Sequence, residues 1–318
     1  MLTEAGFAEP TFHGWTGYFT SSYTQGGRIT ARKPGGGDNT GGVGRTDGKA
    51  RDQAGLTPRA VPLAYGVACY LIFLATFVYA IGFVGDILVP RTVDSGPRVP
   101  TAEALIVEML LLGLFAVPHS VMARPGFKRR WTRLVPPPVE RSTYVLVSSL
   151  LLGLLFWGWR PLPGVVWDAR GSMARTALWG LYSAGWLIVL ISTFLIDHFD
   201  LFGLRQVYLY ATGRPYTPPP FRTPALYQVV RHPIMLGFVV AFWATPTMTW
   251  GHLLFAVLTT AYILIGVRLE ERDLRVLIGD SYEAYSRGVP MLVPRIGRGD
   301  HEAIRTASGE SSARSPNP

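Results

Sequence analysis

The chain has 318 residues, of which 48% are hydrophobic and 16% charged, and its formal net charge is +9. Soluble domains carry roughly 25% charged residues, so the composition argues against a pair of ordinary soluble domains. A single cysteine, Cys69, excludes an internal disulfide, a CxxC redox centre and a multi-cysteine zinc site.

Residues 1–58 are rich in Gly, Thr and Arg and show no hydrophobic periodicity. A run such as Gly35-Gly36-Gly37-Asp38-Asn39-Thr40 cannot bury enough apolar area to offset the entropy of ordering. This stretch is expected to be a disordered basic extension. It lacks the short apolar core of a secretory signal.

Six apolar stretches follow, near 61–85, 102–121, 143–159, 176–196, 226–246 and 250–267. A bilayer span needs about 20 mainly apolar residues, so the third and sixth are short. The expected fold is all-α: an integral membrane bundle of five or six transmembrane helices, occupying residues 59–295. Pro136-Pro137-Pro138 and Pro218-Pro219-Pro220 punctuate the connections. Trp131, Trp157, Trp159 and Trp167 stand near stretch ends, as interfacial aromatics do. Residues 296–318 read as a second disordered tail.

Lys and Arg set the orientation. The second connection carries Arg124, Lys128, Arg129, Arg130, Arg133 and Arg141, whereas the first carries only Arg91 and Arg98. The positive-inside rule then puts both termini in the cytoplasm, with the protein in the cytoplasmic (inner) membrane. With membrane spans present, the basic charge reads as contact with membrane lipid headgroups, and no nucleic-acid motif accompanies it.

The last two stretches carry the strongest chemical signal. Arg231-His232-Pro233 opens the fifth, and Glu270-Glu271 closes the sixth. A turn near Thr247–Thr249 returns the second cluster to the depth of the first, so cations and carboxylates can line one pocket on the cytoplasmic side. Pro233 removes a backbone donor and disturbs the helix before it, and Gly237 lets a ligand approach the backbone. The bland alternative is that Arg231 snorkels to headgroups and the glutamates end a helix.

Arg231-His232-Pro233, Gly237, Glu270-Glu271 and Gly279-Asp280-Ser281-Tyr282-Glu283-Ala284-Tyr285 before Val289-Pro290 resemble the C-terminal pattern of isoprenylcysteine carboxyl methyltransferases and phospholipid methyltransferases. The resemblance to this superfamily, which includes NnrU-like membrane proteins, implies an S-adenosylmethionine pocket. It implies cofactor roles for Arg231, His232, Pro233, Gly237, Glu270, Glu271, Tyr282 and Tyr285. Relatives often carry Tyr where this chain has Met235. Further segments are similar to the methanethiol S-methyltransferases: Asp197-His198-Phe199-Asp200-Leu201-Phe202-Gly203, Pro118-His119-Ser120-Val121-Met122, Pro224-Ala225-Leu226-Tyr227 and Phe242-Trp243-Ala244-Thr245-Pro246. That likeness covers about residues 60–294 and implies a small thiol substrate.

A thiolate is the good nucleophile, and a free thiol is mainly protonated at neutral pH. A histidine within reach of the sulfur can take the proton. His198, with Asp197 or Asp200 as its partner, is the first candidate. His119 is the second, with Glu108 three turns earlier on nearly the same face. His232 is expected to be occupied with cofactor, and His252 to be interfacial. No metal is implied, because no His and carboxylate fall at HExxH-like spacing. Other classes fit the residue pattern too: methylation of a prenylcysteine carboxylate or lipid amine, a small transporter relaying protons through Glu108, His119 and Asp197, or a non-catalytic membrane scaffold.

Overall fold

Long apolar runs in hydrocarbon must satisfy their own backbone polar groups, and helices do so within one segment. In the computed structural model, which describes residues 8–16, 26–32 and 57–294 apart from 170 and 172, the runs become helices. Four long helices come first: α1 (Thr57–Gly85), α2 (Thr101–Met122), α4 (Pro137–Gly158) and α5 (Met173–Ile196), with the short α3 (Pro125–Trp131) between the second and third of them. Three short helices, α6 (His198–Leu201), α7 (Leu204–Ala211) and α8 (Leu226–Val229), lead to α9 (Pro233–Trp243), α10 (Trp250–Ile278) and α11 (Asp280–Gly288). Five helices are long and apolar enough to cross a membrane.

The stretch expected to be disordered carries two strands, β1 (Ala8–Thr16) and β2 (Gly26–Arg32), paired antiparallel. Thr, Phe, Trp and Ile residues in these runs have high strand propensity, a local signal that the Gly-rich composition around them obscured. The rest of residues 1–56, and the expected tail at 296–318, lie outside the described residues.

The fifth stretch, 226–246, is not one helix. His232 precedes Pro233, and a residue before proline is driven out of the helical region. The chain leaves the helix at Val230, which is extended, and the next two amides pair with another segment: Arg231 N–H donates to Pro290 O (2.9 Å) and His232 N–H to Met291 O (3.2 Å). α9 then has only 11 residues, about 16 Å at 1.5 Å per residue, and extended chain continues it. β4 (Thr247–Thr249) pairs antiparallel with β3 (Val165–Asp168) at the end away from His232. Irregular backbone at this depth needs partners within the protein. His252 supplies one, bonding Phe242 O through Nε2 (2.9 Å), and Trp167 Nε1 supplies another by donating to Thr245 O (3.1 Å). His252 is only 1% exposed, so it is a core residue and not an interfacial one.

Trp159 is also buried, with its Nε1 donating to Val93 O (3.0 Å), whereas Trp157 is exposed beside Arg91. Around Trp159 an aromatic core of Phe83, Phe156, Tyr182, Trp186 and Phe255 fills the half of the bundle near β3 and β4. Edge-to-face pairs such as Phe83–Trp159 and Trp159–Phe255 dominate it, the geometry that ring quadrupoles favour.

In the loop after α1, Asp94 accepts a hydrogen bond from the Thr249 hydroxyl. Burial, reinforced by the charge of Asp86 and opposed by Thr249, pushes its carboxyl up to about 6. The folded chain therefore holds this proton more tightly than the unfolded chain. The stabilisation is complete below the unfolded value and is lost as pH rises through about 6. Asp94→Asn is expected to raise stability at neutral pH by up to about 3 kcal/mol. It should also flatten the stability profile between about pH 4 and 6. Thermal unfolding in detergent across that window checks this, and a profile unchanged from wild type would refute it.

Candidate functional site

α10 has 29 residues, about 43 Å of helix, against a hydrocarbon core of about 30 Å. Its last turns therefore continue beyond the apolar window that the sequence marks at 250–267, and they carry Glu270 and Glu271 with them. Arg124, after α2, reaches Asp273 on the same turns (2.7 Å). The carboxylate pair thus lies at the arginine-rich end of the bundle.

A cavity opens there. Its apolar walls come from Ile196, Leu201, Ile234, Met235 and Leu274, and its polar walls from Arg222, Arg231, His232, Glu270, Tyr282 and Tyr285. Phe221, Thr223 and Tyr227 complete the lining. Met235 lines this space with a thioether.

Glu271 organises one wall. Its Oε1 accepts from Arg231 Nε and Nη2 (2.7 Å each) and from His232 Nε2 (3.2 Å), while Arg275 approaches Oε2 at 3.5 Å. Arg231 Nη1 donates to the carbonyls of Ser286 (2.8 Å) and Val289 (2.5 Å). Arg231 is therefore neither snorkelling nor free for a ligand: four of its five N–H groups clamp α10 to the last turns of α11 and the residue that follows it. His232, expected to hold cofactor, is held by the glutamates. Glu270 is different. His232 Nδ1 approaches it only to 3.8 Å, and its side chain is 30% exposed.

Tyr282 and Tyr285 arrive on α11. Tyr285 Oη donates to Tyr227 O (2.5 Å) and so fixes the approach to α8. Tyr282 is 1% exposed, yet its hydroxyl has no hydrogen-bond partner among the described residues. Burial pushes both phenols above their ordinary range, so both remain protonated donors. A buried donor without an acceptor, beside a cavity, is a group a ligand can satisfy.

Pro233 opens α9 at the cavity, as the first helical residue. Gly237 does something else. A Cβ built on it would stand 2.6 Å from Gly185 O and 2.8 Å from a Val189 methyl, so its missing side chain serves the contact between α9 and α5. Gly237 faces a helix, not the cavity.

Neither candidate proton acceptor, His198 or His119, lines the cavity, and neither do Asp197 and Asp200, the expected partners of His198. His198 is buried, with Nε2 on Tyr70 Oη and Nδ1 on Thr193 Oγ1 (2.9 Å each) and its ring stacked on Phe194 at 4.3 Å. Burial, opposed by Asp197, lowers the pKa of its imidazole. The expected Asp–His pairing is not formed. Asp197 accepts from the Asp200 amide, and Asp200 accepts from Arg205 Nη1 (3.0 Å) and Tyr216 Oη (2.9 Å). Asp197 reads instead as the N-cap of a one-turn helix. His119 meets Ser148 Oγ (3.0 Å) and Tyr144 Oη (3.0 Å), not Glu108. Glu108 is fully buried without a hydrogen bond, and a continuous relay through Glu108, His119 and Asp197 is absent among the described contacts.

The cavity residues that sequence reasoning missed come mainly from residues 212–225: Phe221, Arg222 and Thr223. The signal available for them was a lone Arg in a Pro-rich connection, Pro218-Pro219-Pro220-Phe221-Arg222-Thr223-Pro224.

Comparison with known proteins agrees with this architecture. The profile of the NnrU protein family matches residues 107–269. A methanethiol S-methyltransferase of Mycobacterium tuberculosis is 60% identical over 236 residues, which is 74% of this chain and 97% of that protein. One from Crocosphaera subtropica is 53% identical over 240 residues, 76% of this chain and 94% of that protein. Nurim of Mus musculus is 32% identical over 178 residues, 54% of this chain and 68% of that protein. No solved structure matches. Nearly full-length coverage of relatives at this identity shows that the chain belongs to the NnrU family and, within it, to the methanethiol S-methyltransferases.

Proposed function

We propose that the chain methylates methanethiol to dimethyl sulfide, with S-adenosylmethionine bound in the cavity between α9, α10 and α11. The observation that carries the donor assignment is the wall chemistry. A loosely paired carboxylate, Glu270, suits a cationic ligand, and the unpartnered Tyr282 hydroxyl needs an acceptor. The apolar wall at Ile196, Leu201, Met235 and Leu274 suits a small alkyl thiol. The identity of the relatives supports the substrate.

When bound, the donor supplies an electrophilic methyl group on a sulfonium. The residues supply position and exclusion of water. Transfer is an in-line displacement, so holding the acceptor sulfur opposite the leaving sulfur gives much of the rate gain. Tyr282 would donate to the donor, Glu270 would face its α-ammonium, and the apolar wall would hold the thiol carbon. The thiol proton is released to solvent through the cavity mouth. His198 and His119 act through packing, because neither ring lines the cavity.

We place the cavity on the cytoplasmic side of the inner membrane, with residues 59–295 as the catalytic unit. The arginine-rich connections lie at the same end as the cavity, as the positive-inside rule requires.

The test is headspace dimethyl sulfide from membranes carrying the full chain, supplied with S-adenosylmethionine and methanethiol. Wild type is expected to form product. Glu270→Gln is expected to weaken S-adenosylhomocysteine binding by roughly tenfold, the scale of a lost charge-assisted contact, with little change in the KM for methanethiol. Product formed only from prenylcysteine or lipid amines would replace the substrate. Unchanged S-adenosylhomocysteine binding in Glu270→Gln would remove Glu270 from the donor site.

A further inference from the structure

The geometry points to Arg222 as the residue that binds the carboxylate of the donor's amino-acid moiety; the inference rests on the S-adenosylmethionine reading above. Four ionisable side chains other than tyrosine line the cavity: Arg222, Arg231, His232 and Glu270. Arg231 has spent four of its N–H groups on Glu271, Ser286 O and Val289 O. His232 stands between Glu270 and Glu271. Arg222 makes no ion pair or hydrogen bond among the described residues, so its guanidinium is the cation on this wall that a ligand can claim.

The segment that carries it is held in place. Pro218, Pro219, Pro220 and Pro224 flank Arg222 and fix φ at four positions. Ala225, just after, adopts φ 40° and ψ −104° as the N-cap of α8. A non-glycine residue there is strained and persists only where its surroundings enforce it. Tyr285 Oη on Tyr227 O is one such constraint. A strained, proline-braced segment that delivers a free cation to a cavity is organised for binding.

The charges then match the ligand. A donor with a sulfonium, an α-ammonium and an α-carboxylate would meet a loosely paired anion, Glu270, and, in Arg222, a cation without a partner among the described residues. The planar guanidinium fork offers a carboxylate two parallel N–H donors. Arg222 is exposed at the mouth, so the amino-acid end of the ligand lies outward and the sulfonium lies deeper, toward the apolar wall where the thiol binds.

Two nucleosides separate this role from a general one. S-Adenosylhomocysteine carries the α-carboxylate, and 5′-methylthioadenosine lacks the whole amino-acid moiety. Binding of each to the full chain in nanodiscs is measured by calorimetry. Arg222→Gln is expected to weaken S-adenosylhomocysteine by roughly tenfold or more, the scale of a charge-assisted hydrogen bond, and to leave 5′-methylthioadenosine unchanged. Arg222→Lys should restore part of the loss, since it keeps the charge without the fork. Full S-adenosylhomocysteine affinity in Arg222→Gln overturns the assignment. So does a raised KM for methanethiol with S-adenosylhomocysteine binding unaffected, which would put Arg222 on the acceptor. Wild-type chain that binds neither nucleoside overturns the donor reading itself, and Arg222's role with it.

Discussion

Glu271→Ala is expected to lower stability by about 3–5 kcal/mol, the cost of stranding a buried charge by removing its partner, and to abolish donor binding. The Glu271 side chain is 7% exposed and that of Arg231 10%. One carboxylate oxygen serves Arg231 twice and His232 once, and Arg275 approaches the other. Without the carboxylate, Arg231 keeps only its carbonyl acceptors on Ser286 and Val289. The clamp between α10, the 230–232 segment and the end of α11 then opens. That clamp forms the cavity wall, so binding fails with it. Glu271→Gln should lose less, because an amide oxygen still accepts from Arg231. Thermal unfolding and S-adenosylhomocysteine binding, measured on both variants, check the order. Wild-type stability in Glu271→Ala would show that the cluster is not structural.

The second large effect is expected at Gly237. Gly237→Val should destabilise by about 3 kcal/mol or more, at or beyond the upper end of ordinary overpacking costs. The atoms that block a side chain here are largely backbone: Gly185 O at 2.6 Å and Val189 N at 2.9 Å from the built Cβ. Backbone in a packed helix cannot turn aside as a flexible side chain does. α5 and α9 would have to separate, and this is the most extensive helix contact among the described residues. Small residues that let helices approach closely are a recurrent device in membranes, where dispersion replaces the hydrophobic drive. The reciprocal site, Gly185, stands 2.7 Å from Ala241 N by the same measure and should behave alike. Thermal unfolding of Gly237→Ala and Gly237→Val gives the size dependence. Weaker S-adenosylhomocysteine binding in Gly237→Ala at unchanged stability would return this glycine to the ligand.

The two positions show where sequence reading stops. Arg231, Glu271 and Gly237 stand out in the chain because their residue types are unusual beside apolar runs. Their division of labour does not. A guanidinium, a carboxylate and a glycine near a cofactor look alike whether they touch it or hold its wall. Which they do depends on partners 40 to 58 residues away in the chain, and no local pattern encodes those. His198 makes the same point. Its neighbours Asp197 and Asp200 suggested a catalytic pair, yet backbone capping and Arg205 claimed both carboxylates. Arg222 was overlooked for the opposite reason: it lies in a proline-rich connection without periodicity, and only the fold returns that connection to the cavity.

The apolar runs and their flanking arginines determined by themselves that this is a mainly helical membrane protein with a charged site toward one end. Hydrocarbon admits few other solutions for such runs. The residue motifs carried the family as well, because they are read without coordinates. The tertiary structure decided the rest. It broke the fifth stretch at His232-Pro233, extended α10 beyond its apolar window, and paired residues 230–232 with 290–291. It also determined which charges are spent on one another and which are left for a ligand. Those outcomes turn on pairings between segments distant in sequence, whose energies no single segment contains.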